Sequence, residues 1–573
     1  MGFSDIECQF LFQRDNIVSR PELTDALQML RNWSYQRGAK MLGKYWDKKG
    51  KKDETYDYIV IGSGMGGMTA AAMLSKLGKK VLVLEQHYVP GGYTHTFKRK
   101  KYLWDVGVHA VGEVTEHSMT GRLLKYLTDG GLKWASLGEV YDEFYFPDDF
   151  RIDFPDSPKK FRDNLLAAFP EEEEAIDSYL QSVREVSGAM KGYYLGRTVS
   201  SKLGWLGEKT IGAKAQKMLD LNTQEVVEKL TDNHKLQSVM TAQWGYYGSP
   251  PNRSSFAMQA LVVKHFVHGG YYPVGGSEEI ANHLLKTVVD GGGWTRIRAD
   301  VEEIIVEKDT AVGVRLKGGE EIRAKSIMSA AGVQSTVTRL LPESHKAKDW
   351  AQDISKLNPA PCHVCLYIGF KGDITKAGAG SANKWFYETW EPNYDNWEVT
   401  PDGEMPDVPV LYCSFPSLKD PSYDPGPDEL HTGEVVTFVP WDIFQEWKDT
   451  RWKKRGEDYD AFKKRMEDKL LEQFLGHLPG LREYVDYVEL STPLSTDHFV
   501  RPMAGSIYGI EPTPERFRTK SLRPRSPIKN LYMAGSEVAS VGVIGAMMGG
   551  VLSVLSAEPV GTAKMLKEAG FKG

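Results

Sequence analysis

The sequence predicts an α/β protein in which one domain, built on a parallel sheet, is interleaved with a mixed-sheet domain and a helical lid. Three stretches carry that prediction: Tyr56–Glu85, Asn530–Ala546 and the strand-rich run Pro359–Pro440.

Tyr58 to Ile61 is a short apolar run with β-branched residues, as expected of a strand buried on both faces. Gly62, Gly64 and Gly67 follow in G-x-G-x-x-G spacing, with Ser63 and Gly66 inside the same turn. Gly62 permits the tight turn, Gly64 lets a pyrophosphate approach the backbone, and Gly67 lets the next helix pack close to the strand. That helix reads Met68 to Leu77, capped by Gly78, and its N-terminal amides face the phosphate position. A second strand, Val81 to Leu84, ends at Glu85, whose carboxylate can accept from ribose hydroxyls, with Gln86 beside it. The glycine spacing alone is weak evidence in a chain with 56 glycines. Strand, turn, helix, strand and terminal acid in this order make a Rossmann-type dinucleotide site.

The second unit decides which dinucleotide. Asn530-Leu-Tyr-Met-Ala-Gly-Ser-Glu537 and Gly542-Val-Ile-Gly-Ala546 form another strand, glycine turn and helix almost a full chain length downstream. A nicotinamide domain has no need of this return, whereas the ribityl chain and ring of FAD extend beyond the first site. Gly535 and Glu537 are placed for the ribityl hydroxyls. The helix near Gly542, with Val543 and Ile544, can point its amides at the flavin pyrimidine ring.

Further motifs are Gly91-Gly-Tyr-Thr-His-Thr-Phe97, Tyr271-Tyr-Pro-Val-Gly-Gly-Ser277, Thr492-Pro-Leu-Ser495, Gly505-Ser-Ile-Tyr-Gly509 and Leu531-Tyr-Met-Ala-Gly535. Together these residues resemble the phytoene desaturase, carotenoid isomerase and retinol saturase superfamily of FAD-dependent oxidoreductases, most of all its retinol saturase branch. The likeness runs from about Tyr56 to Leu555. It implies a Rossmann-type FAD-binding domain of the amine-oxidase/phytoene-desaturase type, with Gly91, Gly92 and Thr94 at the cofactor. It also implies Val301 near the adenine and Ala331 at a closing strand end, with His109 and Tyr508 beside the ring. One departure stands out: many flavoproteins of this group have Arg after the second Gly-Gly, and this chain has Tyr93.

A chain of 573 residues exceeds one ordinary core, so interleaved domains are expected. The expected division is 1–55, a basic amphipathic segment; 56–150, 261–345 and 501–573, the FAD-binding domain; 151–260, a lid; and 346–500, the substrate domain. A net charge of −6 argues against nucleic acid as a partner. Four cysteines suit a reducing, cytoplasmic compartment. Cys362 and Cys365 have redox-pair spacing but fall on a strand, where residues three apart face opposite ways, so they read as structural.

Ser19 and Glu22 are spaced as a capping box before Leu23, Leu27, Leu30 and Trp33. Arg31 to Lys52 holds eight Lys or Arg and one acid, interleaved with Trp33, Tyr35, Tyr45 and Trp46. Such a stretch suits peripheral attachment to an anionic membrane surface, or equally an arm packed on the body. Glu171 to Glu185 has Ile176, Tyr179, Leu180 and Val183 at helical spacing. Beyond it, Tyr193-Tyr-Leu195 and Leu203-Gly-Trp-Leu206 form a lid or a second membrane-dipping surface. Arg296–Val306, Ala311–Leu316, Glu321–Ala324 and Ser326–Ala331 read as four strands, and Glu278–Val289 as a helix.

No serine triad, paired catalytic acids or metal motif is visible. In a flavoenzyme the protein holds a substrate bond against the ring and handles the proton. His109 and Tyr508 are the candidates for that proton, and Tyr246, Tyr247, Tyr271 and Tyr272 for lining an apolar tunnel. The expected reaction is saturation or desaturation of a C=C bond in a long polyene or lipid. The alternatives are cis–trans isomerisation without net redox change and a non-enzymatic prenyl-lipid escort. The intact glycines and acids argue against the escort. No second dinucleotide motif appears, which argues against direct reduction by NADPH and leaves the redox partner open.

Overall fold

The computed structural model describes residues 45–50, 55–198, 219–391, 393, 397–401 and 403–571. Strand Tyr56–Ile61 lies inside an eight-stranded sheet, flanked in parallel by Val81–Leu84 and by Glu321–Ser329. Burial of Ile59, Val60 and Ile61 on both faces explains its unbroken apolar run. Helix Met65–Lys76 crosses one face, and the late helix Gly542–Ala557 packs against it. Strand Leu531–Met533 pairs in parallel with Glu321–Ser329, so the last part of the chain returns to the sheet that the first part begins.

Three strand readings change. Arg296–Val306 is two strands, Trp294–Arg296 and Val301–Glu307, because Arg298 between them takes φ 54°, outside the extended region. Glu321–Ala324 and Ser326–Ala331 are instead one strand, Glu321–Ser329. Its first half pairs antiparallel with Thr310–Leu316 and its second half parallel with Tyr56–Ile61. Trp46–Asp47, expected in the N-terminal segment, is an edge strand of this sheet beside Trp294–Arg296. Tyr45 and Trp46 are buried, so neither is an interfacial aromatic. The Ser19–Trp33 helix, Cys8, most of the Arg31–Lys52 stretch and Leu203–Leu206 lie outside the described residues.

A second sheet has seven strands in the order Val485–Ser491, Cys362–Lys371, Leu430–Val439, Val410–Ser414, Asn383–Tyr387, Val140–Phe146 and Phe150–Pro155. One face packs on helix Glu457–His477 through Phe462, Met466, Leu470 and Phe474. Cys362 belongs to that core and Cys365 to a separate cluster with Tyr102 and Trp104 on the other face, as strand geometry requires. Helix Glu173–Thr198 buries Ile176, Tyr179 and Val183. Tyr193 donates to Phe517 O (2.9 Å), Tyr194 to Ala539 O (3.1 Å) and Arg197 to Phe517, Thr519 and Leu522 carbonyls. This end of the helix is therefore bound to the body, with Leu195 left exposed. No described helix is long and apolar enough to cross a membrane.

Candidate functional site

A cavity of about 500 Å³ runs between the two sheets. Its first part is built by glycines that side chains would obstruct. Gly62 takes φ 93°. A Cβ on Gly67 would overlap the Gly62 carbonyl, so the helix can start this close only with glycine there. Gly64 differs, because a Cβ there would meet no atom within 4 Å: it faces the cavity. Gly92 takes φ 57° and approaches the same loop, where a Cβ would stand 2.9 Å from Gly64 Cα.

Buried polar groups fix these loops to one another. Ser63 N and Oγ donate to Glu85 Oε2 at 2.9 and 2.6 Å, and His87 N donates to Glu85 Oε1 at 2.8 Å. Gly91 N donates to Ser63 Oγ at 3.0 Å, and Thr94 Oγ1 to Gly91 O at 2.8 Å. Gln86 Nε2 reaches Phe499 O at 3.1 Å.

The structure brings most of the expected cofactor residues to the cavity wall. Gly62, Gly64, Gly66, Glu85, Gln86, Gly92 and Thr94 border it from the first unit. Val301 and Ala331 border it from the middle of the chain, and Gly535, Glu537 and Val543 from its end. Four others are not in the wall. Ser63 is turned into the loop bonds just described, Gly67 into the helix–strand contact, and Gly91 supports Ser63. Ile544 is buried from the helix face away from the cavity.

Two helix N-termini open on this space. Helix Met65–Lys76 begins at Gly64, and helix Gly542–Ala557 begins after Val541 with Gly542 at φ 79°. Neither has a side-chain cap, so unsatisfied amides and positive dipole ends meet at the cavity. Glu537 is buried between them and accepts from Gln334 N at 2.9 Å. Burial raises its pKa, against the pull of that amide and of Arg516. A glycine cradle with a free Cβ direction at Gly64, two uncapped helix ends and a buried acid fit a flavin dinucleotide. Gly64 and the first helix would hold its pyrophosphate, Glu537 its ribityl chain, and the second helix its ring.

The other part of the cavity has aromatic and apolar walls that the sequence reading did not single out. Trp385, Tyr412, Val410, Val436 and Phe438 all come from one face of the second sheet. The period-two alternation of Val410–Ser414 and Leu430–Val439 holds that signal, but only pairing shows which face meets the cofactor domain. Trp385 and Tyr412 stand 4.5 Å apart by ring centroids. Of the four expected tunnel tyrosines only Tyr246 borders the cavity. Tyr247 turns away to Gln259 Oε1 (3.0 Å), and Tyr272 donates to Asp105. Tyr271 turns its hydroxyl to His268 O at 3.2 Å.

His109 and Tyr508 both border this part. Burial, reinforced by Lys419, pushes the His109 pKa down to about 3, so its ring is neutral. Burial raises the Tyr508 phenol far above its usual range, and its hydroxyl donates weakly to Gly245 O at 3.3 Å. His363, also in the wall, is pushed down to about 4 by burial and by His109. Among the described residues no cluster of His, Cys, Asp and Glu is placed to hold a metal ion.

Residues 65–554 match the family described as flavin containing amine oxidoreductase. The chain is 32% identical over 516 residues to the all-trans-retinol 13,14-reductase of Danio rerio, covering 87% of this chain and 85% of that protein. It is 27% identical over 530 residues to the chloroplastic prolycopene isomerase of Daucus carota, covering 88% and 82%. Its fold is that of the cyclohexylamine oxidase of Brevibacterium oxydans, with a TM-score of 0.57 at 16% identity over 90% of this chain and 99% of that one. FAD is therefore the cofactor, and the chain belongs to the flavin-containing amine oxidoreductase family, in its retinol saturase-like branch.

Proposed function

We propose that the protein is an FAD-dependent oxidoreductase that saturates or desaturates a C=C bond of a long hydrophobic polyene. One observation carries this reading: the cavity that begins at the Gly64 cradle is walled at its other part by Trp385, Tyr412, Val436, Phe438 and Tyr508. Such walls accept an extended apolar chain, exclude water from it and hold it flat by ring contacts. FAD supplies hydride transfer at that place when bound. Of the ionisable side chains bordering the cavity, His109 is the one to which we assign the accompanying proton. The 32% identity to a retinol 13,14-reductase supports the same substrate class. Peripheral docking on an anionic membrane is part of the proposal, since a polyene reaches a buried cavity more readily from a bilayer than from water.

The test is an anaerobic single turnover of the FAD-loaded protein, chemically reduced, with all-trans-retinol. Flavin reoxidation together with a product two hydrogens heavier is the expected result. Unchanged retinol and a flavin that stays reduced would overturn the reading. The carrot relative favours a second reading, cis–trans isomerisation. It predicts altered double-bond geometry at constant mass.

A further inference from the structure

The sheet face that walls the polyene space continues into a polar row. On strand Leu430–Val439, Phe438, Val436 and Glu434 point the same way, and the first two border the cavity. Glu434 pairs across the sheet with Ser414, as Val436 does with Tyr412. Asp142 pairs with Asn383 one step from Trp385. A fully buried carboxyl thus lies on the same face, next in line to the aromatic wall.

The surroundings of Glu434 are unusual for a structural acid. Its Oε2 stands 2.7 Å from His109 Nδ1, close enough for a proton to cross though not aligned as a hydrogen bond, and the Asp105 backbone also pulls on its carboxyl. The His109 Nε2 edge has no hydrogen bond among the described residues and belongs to a residue that borders the cavity. Lys419 is buried as well. Its Nζ donates to His109 O (2.7 Å), Ser414 Oγ (2.7 Å) and Asn383 Oδ1. All three partners are neutral, so its charge is balanced only through space. Asp142 is tied to Tyr246 (2.7 Å) and Asn383 (2.9 Å), and Asp105 to Ser277 and Tyr272. These two acids are held by side-chain donors, whereas among the described residues Glu434 makes no side-chain hydrogen bond and has the imidazole 2.7 Å away.

We propose that Glu434 is the proton reservoir of the site, passing its proton through the His109 ring to the alkene carbon that receives no hydride. The inference rests on the C=C reduction proposed above. The Glu434 O–H bond breaks as an N–H bond forms at His109 Nδ1. The Nε2–H bond breaks as a C–H bond forms on the substrate. FAD, when bound and reduced, would supply the hydride and its electron pair to the neighbouring carbon. The imidazole ends neutral with its tautomer exchanged, and Glu434 ends as a carboxylate that Lys419 stabilises.

The protonation states agree with this direction. Burial raises Glu434 well above the carboxylate range, against the field of Lys419, and keeps His109 neutral. Burial lowers Lys419 to about 7 and raises Asp105 and Asp142 to about 6. His363 and Tyr412 also face the pair, as do Tyr367, which pairs across the strands with Glu434, Cys365 beside it on that strand, and Tyr272.

Glu434→Gln keeps the shape of the side chain and removes the transferable proton. Infrared difference spectra of the FAD-loaded proteins at neutral pH read the reservoir directly. Wild type should show a protonated-carboxyl band, shifted in deuterated water, that Glu434→Gln lacks. Single-turnover reduction of all-trans-retinol should slow about 100-fold in the variant, the usual weight of a positioned acid, with its flavin spectrum unchanged. Glu434→Asp should recover part of the rate. Should Glu434→Gln not hold FAD, the band and rate of Glu434→Asp decide in its place. Equal rates in wild type and variant, or a wild-type spectrum without the band, would overturn the inference. Wild type that shows the band yet leaves retinol unchanged would instead overturn the reaction proposed above, and with it the proton's destination.

Discussion

Gly66 and Gly535, at opposite ends of the chain, meet so closely that a Cβ on Gly66 would stand 2.6 Å from Gly535 Cα. The contact joins the helix Met65–Lys76 to the turn after strand Leu531–Met533, and so locks together the two parts of the cofactor site. Nearby, Gly549 and Gly550 pack on Gly535 and Gly66 with backbone-to-backbone contacts that no side chain can enter.

This geometry separates two glycine variants that the spacing motif treats alike. Gly64→Val should fold and melt near wild type, because its Cβ points into the cavity with no atom within 4 Å. Its FAD affinity should fall at least tenfold, about 1.4 kcal/mol. Gly67→Val should lose stability itself, by more than the ~1–3 kcal/mol of ordinary overpacking, because its Cβ overlaps the Gly62 carbonyl. Thermal melts of the apoproteins beside flavin titrations distinguish the two.

Glu85 accepts from Ser63 N, Ser63 Oγ and His87 N, and it borders the cavity. Glu85→Ala leaves buried donors unpaired before any ligand arrives. The apoprotein should lose about 1–3 kcal/mol of stability and the FAD affinity should fall further, while Glu85→Gln should keep part of both. Urea denaturation with and without FAD measures the two effects. An apoprotein of wild-type stability would show that the carboxylate serves the ligand alone.

Much of this architecture is legible in the residues. Apolar runs, glycine spacing and terminal acids place the strands at Tyr56 and Val81 and the final return at Leu531, because each signal is local. The glycine turns also mark where the cavity begins. The aromatic wall was not legible, since Trp385, Tyr412 and Phe438 come from separate strands and meet only through sheet register. Glu434 was invisible for the same reason: within Thr432-Gly-Glu-Val-Val it resembles a solvent-facing residue of an alternating strand. Tyr247 and Tyr272 were misplaced because adjacent tyrosines point to different surroundings, and each found a buried polar partner.

Acid should weaken the cofactor end through His95. Its ring bonds Gly92 O at 2.6 Å and borders the cavity, and burial pushes its pKa down to about 4 from 6.5. The folded state therefore resists a proton that the unfolded chain accepts. Its contribution is whole above pH 6.5 and falls away as the pH drops towards 4. By this linkage alone, stability should be about 2 kcal/mol lower at pH 5 than at pH 7. His95→Gln, which keeps a donor for Gly92 and cannot titrate, should remove that increment from the pH profile. Parallel profiles for wild type and variant would show that His95 takes up a proton as readily in the folded protein as in the unfolded chain.

The docking proposal makes the remaining prediction, and the structure narrows it. Tyr45 and Trp46 are buried against the sheet, so the aromatic part of attachment cannot come from them. The basic stretch ending at Lys52 retains Lys48 and Lys49, both exposed beside the edge strand. Basic residues near an anionic bilayer contribute about 1 kcal/mol each, a term that salt screens. Helix Glu173–Thr198 carries Leu195 outward just before Leu203-Gly-Trp-Leu206, whose apolar side chains would add a term that salt does not screen. Wild type should therefore sediment with phosphatidylserine-containing liposomes at low salt. A variant with Lys48, Lys49, Lys51 and Lys52 changed to Glu should lose most of its salt-sensitive binding. A variant with Leu195, Trp205 and Leu206 changed to Ser should lose the part that survives high salt. Wild type that stays in the supernatant at low salt would remove the bilayer from the proposal and require the polyene to arrive on a carrier.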